Sequence, residues 1–251
     1  MIGENGRVTD PVFLSDLADP LPEPGSAVVL DGPEGRHAAT VRRIRSGERV
    51  VIADGTGRGI GGSVISADKA SITVRVETTM ITPEPAIRIT VAQALAKGDR
   101  SDIALEMITE LGAISIIPWQ SARSIVRWTP DRADKSRAKW QATVREATKQ
   151  SRRLRMPSVD RVVSTKQLAA KINDHDLTLV LHEGAERRLP EITIPDAAKI
   201  MIIVGPEGGI APEELDLLTA AGGRPVLISD GVLRTSTAAA VAMAGILLRP
   251  S

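Results

Sequence analysis

The residues best placed to hold a ligand lie between Lys199 and Leu215, in KIMIIVGPEGGIAPEEL. The apolar run Ile200 to Val204 has the length and β-branching of a strand buried on both faces, and it stops at Gly205-Pro206-Glu207-Gly208-Gly209. Pro212 stands at a first helical position, Glu213 and Glu214 fill a first turn, and Gly222 closes the helix. Strand, glycine loop and helix in that order present backbone groups to a ligand at the carboxyl end of a strand. The glycines fit neither the dinucleotide fingerprint nor the phosphate loop, which ends in Gly-Lys-Ser/Thr. The local pattern leaves open an ordinary strand-to-helix turn or a ligand loop. In the second case Gly208 is expected to give close backbone approach, so that Gly208→Val would abolish binding.

Two further strand ends carry polar or glycine loops. Leu177 to Leu181 reads as a buried strand ending at His182-Glu183-Gly184, and Val226 to Ile228 as a short strand followed by Ser229 to Thr237. Thr235, Ser236 and Thr237 offer hydroxyl caps to an alanine-rich helix with its body at Ala238 to Gly245. If these strands are neighbours, the three loops form one pocket.

Charge is distributed unevenly. From Ser121 to Arg161 there are twelve Lys or Arg against four Asp or Glu, a net of +8, which leaves the rest of the chain at -7 against an overall +1. The acids are too few to pair with these bases, and a surface facing a polyanion such as an RNA backbone is expected. Its candidate contacts are Arg123, Arg127, Arg145, Gln150, Arg152 and Arg153, around a helix expected over Ala138 to Arg152. Gly35 to Arg45 reads as a brief basic helix and adds Arg36, Arg42 and Arg43; Lys97 adds another cation. His37, within that helix, reads as a capping or packing residue.

The elements that must position these groups follow from composition and punctuation. The 251 residues contain no Cys and no Tyr, one Phe and three Trp, so the core is aliphatic and thiolate, disulfide and cysteine-zinc chemistry are excluded. No run approaches transmembrane length and no signal pattern opens the chain, so no membrane partner and a cytoplasmic location are expected. Short strands at Ala27 to Leu30, Arg49 to Ala53, Gly59 to Ser66 and Ser71 to Glu77 suggest a small barrel. Pro83 and Pro85 mark a boundary, giving domains 1–82 and 83–251. Beyond it, strand Ile87 to Ala94, helix Asp102 to Leu111 and strand Ile114 to Pro118 form a βαβ unit and predict a parallel sheet.

VGPEGGIAPEEL and GVLRTSTAAAVAMAG, preceded by QALAKGDRSDIALEMITELGAISIIPWQSARS and REATKQSRRLRMPSV, resemble the RsmE family of 16S rRNA (uracil-N3)-methyltransferases, within the SPOUT methyltransferases. HAATVRRIRSGERVVIADGTG resembles that family's PUA-like barrel, so the resemblance covers nearly the whole chain. It implies an α/β fold: a knotted (deep trefoil) SPOUT methyltransferase domain with an N-terminal PUA-like β-barrel. It also implies a homodimer and bent S-adenosylmethionine held largely by backbone. Carried over, Leu181, His182, Glu183, Gly205, Glu207, Gly208, Gly209, Leu233, Arg234, Thr235 and Thr237 would bind the cofactor, with 16S rRNA of the small ribosomal subunit as partner.

The chain departs from the family pattern twice. Ser236 stands where the family often has Glu, and Pro11-Val12-Phe13 keeps only the Phe of a common Arg-Phe pair. No role is carried over for either missing residue.

The implied chemistry removes a weakly acidic N3 proton and stabilises the charge left on the base. Arg123 or Arg127 is the candidate for that charge or a flanking phosphate, Glu110 or Glu207 for the proton, and Arg234 is the arginine nearest the cofactor loop. No metal is required. A knotted methyltransferase acting on another rRNA or tRNA position, and a non-catalytic RNA-binding assembly protein, are the alternatives.

Overall fold

The computed structural model describes residues 10–249, which divide into two compact units. The first takes the chain up to Glu84 together with Arg145–Met156; the second takes Pro85–Val144 and the chain from Pro157 onward.

The first unit holds β1 (Val12–Leu14), β2 (Ala27–Leu30), α1 (Gly32–Arg36), β3 (Arg49–Ala53), β4 (Arg58–Ala67) and β5 (Ile72–Ile81). Its sheet runs β1-β3-β4-β5-β2, so among the described residues the ladder ends at β1 and β2 and does not close as the expected barrel would. Side chains close it instead: Phe13 of β1 and Leu30 of β2 share one apolar cluster with Ile52, Ile60 and Val74. The basic helix expected over Gly35 to Arg45 starts earlier, at Gly32, and ends in a π-helical turn at His37–Val41. Gly35 lets α1 pack closely, since a Cβ there would lie 2.4 Å from the Leu30 carbonyl oxygen and 2.7 Å from that of Ala70.

Arg145–Met156 joins this unit through charge and apolar contact. Glu34 accepts from Lys149 Nζ at 3.0 Å and Arg145 Nε at 3.3 Å, and Arg145 also donates to the Leu14 carbonyl. Leu154 packs among Val12, Leu14 and Val51. Arg145 therefore holds the fold, a correction to its reading as an RNA contact.

The second unit holds β6 (Ile87–Ala94), α2 (Arg100–Glu110), β7 (Ser115–Trp119), α3 (Pro130–Gln150, whose last turns belong to the first unit) and β8 (Ser158–Val159). After these come α4 (Thr165–Lys171), β9 (Leu177–Leu181), β10 (Ala198–Val204), α5 (Pro212–Ala220), β11 (Arg224–Val226) and α6 (Thr235–Leu247). All pairings in the sheet, ordered β11-β9-β10-β6-β7-β8, are parallel, in agreement with the βαβ reading. Ile200, Met201, Ile202 and Ile203 of β10 are fully buried, each contributing about 2 kcal/mol relative to exposure.

Some elements differ from expectation. α3 starts well before Ala138, at Pro130, where Thr129 accepts from the Arg132 and Ala133 N–H groups. α4 is unanticipated although Ser164 and Gln167 form a capping box at its start. β11 ends two residues before Ile228, freeing Leu227 and Ile228 for the loop that follows.

Candidate functional site

The strand order sets the carboxyl ends of β11, β9 and β10 side by side, and the loops leaving them line one cavity of about 300 Å³. Leu181, His182 and Glu183 come from the first loop, Gly205, Pro206, Glu207, Gly209 and Ile210 from the second, and Leu227 to Arg234 from the third. Arg100, Thr235 and Ala238 complete the wall. Glycines and aliphatic residues of this wall alternate with the charged Arg100, Glu183, Glu207, Asp230 and Arg234.

A buried polar chain ties the loops together. Gln93, at the end of β6, donates through Nε2 to Thr235 Oγ1 at 2.9 Å, and Thr235 Oγ1 donates to the Gly205 carbonyl at 2.8 Å. Thr235 is therefore not the hydroxyl cap of α6. The cap position is Arg234, which makes no side-chain cap bond, and Thr237 Oγ1 donates to the Arg234 carbonyl at 3.2 Å. Gln93 is a residue that motif reading missed; a glutamine in an otherwise apolar strand end was its signal.

Glu207 anchors the loop entering α2. Its Oε1 accepts from the Lys97 N–H at 3.1 Å and Arg100 Nη1 at 3.0 Å. Burial pushes the Glu207 carboxyl up, but its own backbone N–H, the Lys97 N–H and the Arg100 guanidinium outweigh this and hold it below the usual range. A carboxylate so committed is a poor proton acceptor at neutral pH, which corrects its reading as a base. Glu110 is corrected as well. It is the last residue of α2, and an 11-residue helix of about 16 Å carries it away from Arg100 at the cavity, toward the opposite end of the sheet.

Glu214, buried in the first turn of α5, accepts from the Ala122 N–H at 2.8 Å and from the Thr165 hydroxyl, fixing residues 121–124 beside the glycine loop. Arg123 Nη1 there donates to the Gly208 carbonyl at 3.1 Å. Gly208 does not line the cavity: a Cβ on it would face Arg123 Cβ at 3.4 Å. Thr237 also lies outside the lining, whereas Leu233 and Arg234 belong to it.

Of the expected RNA contacts, Arg36, Arg42, Arg43, Lys97, Arg123, Arg127, Gln150 and Arg152 are exposed. Arg127 donates to the Ala122 carbonyl, and desolvation lowers the pKa of the half-buried Arg153. Several cations of the basic segment find acids outside it, Lys139 on Asp102 and Lys149 on Glu34. The surplus over Ser121 to Arg161 is thus partly spent within the fold.

Residues 82–247 match the model of an RNA methyltransferase domain and residues 30–77 that of an RNA methyltransferase PUA domain. The ribosomal RNA small subunit methyltransferase E of Mycobacterium bovis is 46% identical over 91% of this chain and 88% of its own length. That of Bacillus subtilis is 32% identical over 86% of this chain and 88% of its own. The chain belongs to the ribosomal RNA small subunit methyltransferase E family. A solved methyltransferase E from Neisseria gonorrhoeae, bound to S-adenosyl methionine, superposes with a TM-score of 0.84 at 29% identity, over 95% of this chain and 98% of that one. A methyltransferase from Legionella pneumophila in complex with SAM gives 0.84 at 25% identity, over 94% and 96%. Within the methyltransferase E family pattern, the Ser236 of this chain is buried in the first turn of α6. Among the described residues no helix is long and apolar enough to cross a membrane.

Proposed function

We propose that this protein methylates N3 of a decoding-region uridine in 16S rRNA of the small ribosomal subunit, using S-adenosylmethionine. The observation that carries the reading is the cavity itself, three adjacent strand-end loops closed by the Gln93–Thr235–Gly205 chain in a member of this family. Its volume suits a small ligand, and a lining that mixes glycines and aliphatic residues with the carboxylates Glu183, Glu207 and Asp230 suits a cationic nucleoside without phosphate. Leu181, His182, the Glu183 main chain, Gly205, Glu207, Gly209 and Leu233 to Thr235 would hold the cofactor, with Gly208 and Thr237 supporting the loops from outside. The cofactor supplies a methyl whose bond to the sulfonium sulfur breaks as its bond to N3 forms, leaving a neutral thioether. The loops exclude water and orient the base, and Arg123 and Arg234 present positive charge at the rim.

The trefoil knot, the homodimer and a cytoplasmic location belong to the same proposal. For the dimer, Val241 and Ala244 of α6 and Leu248, the residue that caps it, follow one another at helical spacing, and Leu248 is 82% exposed. Arg36, Arg42, Arg43, Lys97, Arg127, Gln150, Arg152 and Arg153 would meet the RNA.

The test is calorimetry with S-adenosylmethionine, paired with methyl transfer to small subunits lacking the modification and mapping of the methylated atom. Binding with transfer to uracil N3 is the expected result. Binding with transfer elsewhere moves the substrate, and no binding by folded protein removes the enzyme reading.

A further inference from the structure

Glu183, Glu207 and Asp230 line the cavity, and two of these carboxylates are committed. Glu207 holds the Lys97 N–H and Arg100, and Asp230 is paired with Arg188. Among the described residues Glu183 makes no side-chain hydrogen bond or ion pair. Its Oε1 lies 3.7 Å from where a Cβ on Gly209 would stand, and Arg123 Nη1 lies 3.9 Å from the same point. Arg123 is kept there by its bond to the Gly208 carbonyl. Gly209, at φ +72°, leaves the space between a carboxylate and a guanidinium clear of any side chain.

That pairing matches the imide edge of uracil, where an N3–H donor sits between two carbonyl acceptors. A carboxylate accepts from the N–H, and a guanidinium donates to the neighbouring oxygen. Resting on the methyl-transfer reading above, we propose that Glu183 is the general base for uracil N3 and that Arg123 stabilises the charge developing on the adjacent carbonyl oxygen. The N3–H bond breaks toward a Glu183 carboxylate oxygen, and the electron pair left on N3 is the nucleophile. Glu183 afterwards releases the proton to solvent. Arg123, fixed before the base arrives, offers its charge without reorganisation.

The experiment compares wild type with Glu183→Gln, Glu183→Asp and Glu183→Leu. Glu183→Gln is expected to bind S-adenosylmethionine as wild type does, while transfer at saturating cofactor falls roughly 100-fold or more at neutral pH. Its rate should then rise about tenfold per pH unit toward the N3 pKa, where wild type is flat, and Glu183→Asp should recover part of the loss. A second readout needs no turnover. Cofactor-free wild type should prefer a uridine oligonucleotide over its N3-methyluridine counterpart, and Glu183→Leu should lose that preference. Full transfer by Glu183→Gln, or a loss cured by raising the cofactor concentration, would overturn the proposal, the latter making Glu183 a cofactor ligand. A wild type that neither binds cofactor nor transfers methyl would instead remove the methyl-transfer reading on which this one rests.

Discussion

Gln93 Nε2 donates to Thr235 Oγ1 at 2.9 Å across 142 residues of sequence, joining the end of β6 to the start of α6. Because Thr235 passes the bond on to the Gly205 carbonyl, one hydroxyl sets both the helix terminus and the glycine loop. Thr235→Val would remove both bonds, leaving Gln93 Nε2 only the longer contacts to the Ala94 and Thr235 carbonyls and the Gly205 carbonyl without the hydroxyl, at about 2 kcal/mol. Denaturant unfolding should show that loss, calorimetry a weaker cofactor affinity, and Thr235→Ser should restore both.

Two adjacent glycines should respond differently. Gly208→Ala places a methyl against Arg123 Cβ at 3.4 Å, outside the cavity, and is expected to keep cofactor affinity. Gly209→Ala must adopt φ +72°, at about 1 kcal/mol of strain, in a residue that lines the cavity. Calorimetry on the two variants checks the contrast; equal losses would contradict it.

In the first unit, Glu34→Ala would leave Lys149, with a side chain only 8% exposed, beside Arg145 and without its shared acceptor. Lys149 keeps Glu146 at 2.8 Å, so the cost is that of losing charged hydrogen bonds, about 2 kcal/mol. Unfolding of this variant should show a loss of that order, whereas Arg152→Ala, at an exposed position, should leave stability nearly unchanged.

The lowered Glu207 carboxyl gives a pH signature. A folded-state pKa below the unfolded one makes its contribution to stability complete above the ordinary glutamate value of about 4.3, and lost as pH falls through the folded value. Glu207→Gln removes that titration. The stability gap between wild type and variant should be constant near neutrality and should narrow as pH falls below about 4. A gap that widens on acidification would contradict the assignment.

The exposed face of α6 makes the proposed dimer testable. Val241→Glu with Leu248→Glu should turn a dimer into a folded monomer in sedimentation velocity, since each charge would enter an apolar contact. An unchanged dimer would move the interface elsewhere.

The parallel sheet was legible in the sequence because Ile200 to Val204 is a continuous apolar run stopped by Gly205 and the stretch from Ile87 to Pro118 reads as a βαβ unit, patterns that need no partner to be recognised. Ile87–Ala94 and Leu177–Leu181 match the structure at both bounds, as do Ala27–Leu30 and Arg49–Ala53 in the first unit. The glycine loop, its helix start at Pro212 and the basic surplus after Ser121 were equally local facts. Family resemblance followed from the same stretches. Long-range partners were not legible, because hydrogen bonding and charge pairing depend on distances that sequence separation hides. Only the tertiary structure showed that Arg145 and Lys149 serve Glu34, that Glu207 is occupied by Lys97 and Arg100, that Glu110 lies at the end of α2 remote from Arg100, and that Thr235 faces Gly205. Residue type announced which groups could carry charge or a proton; packing decided which of them were left available to do so.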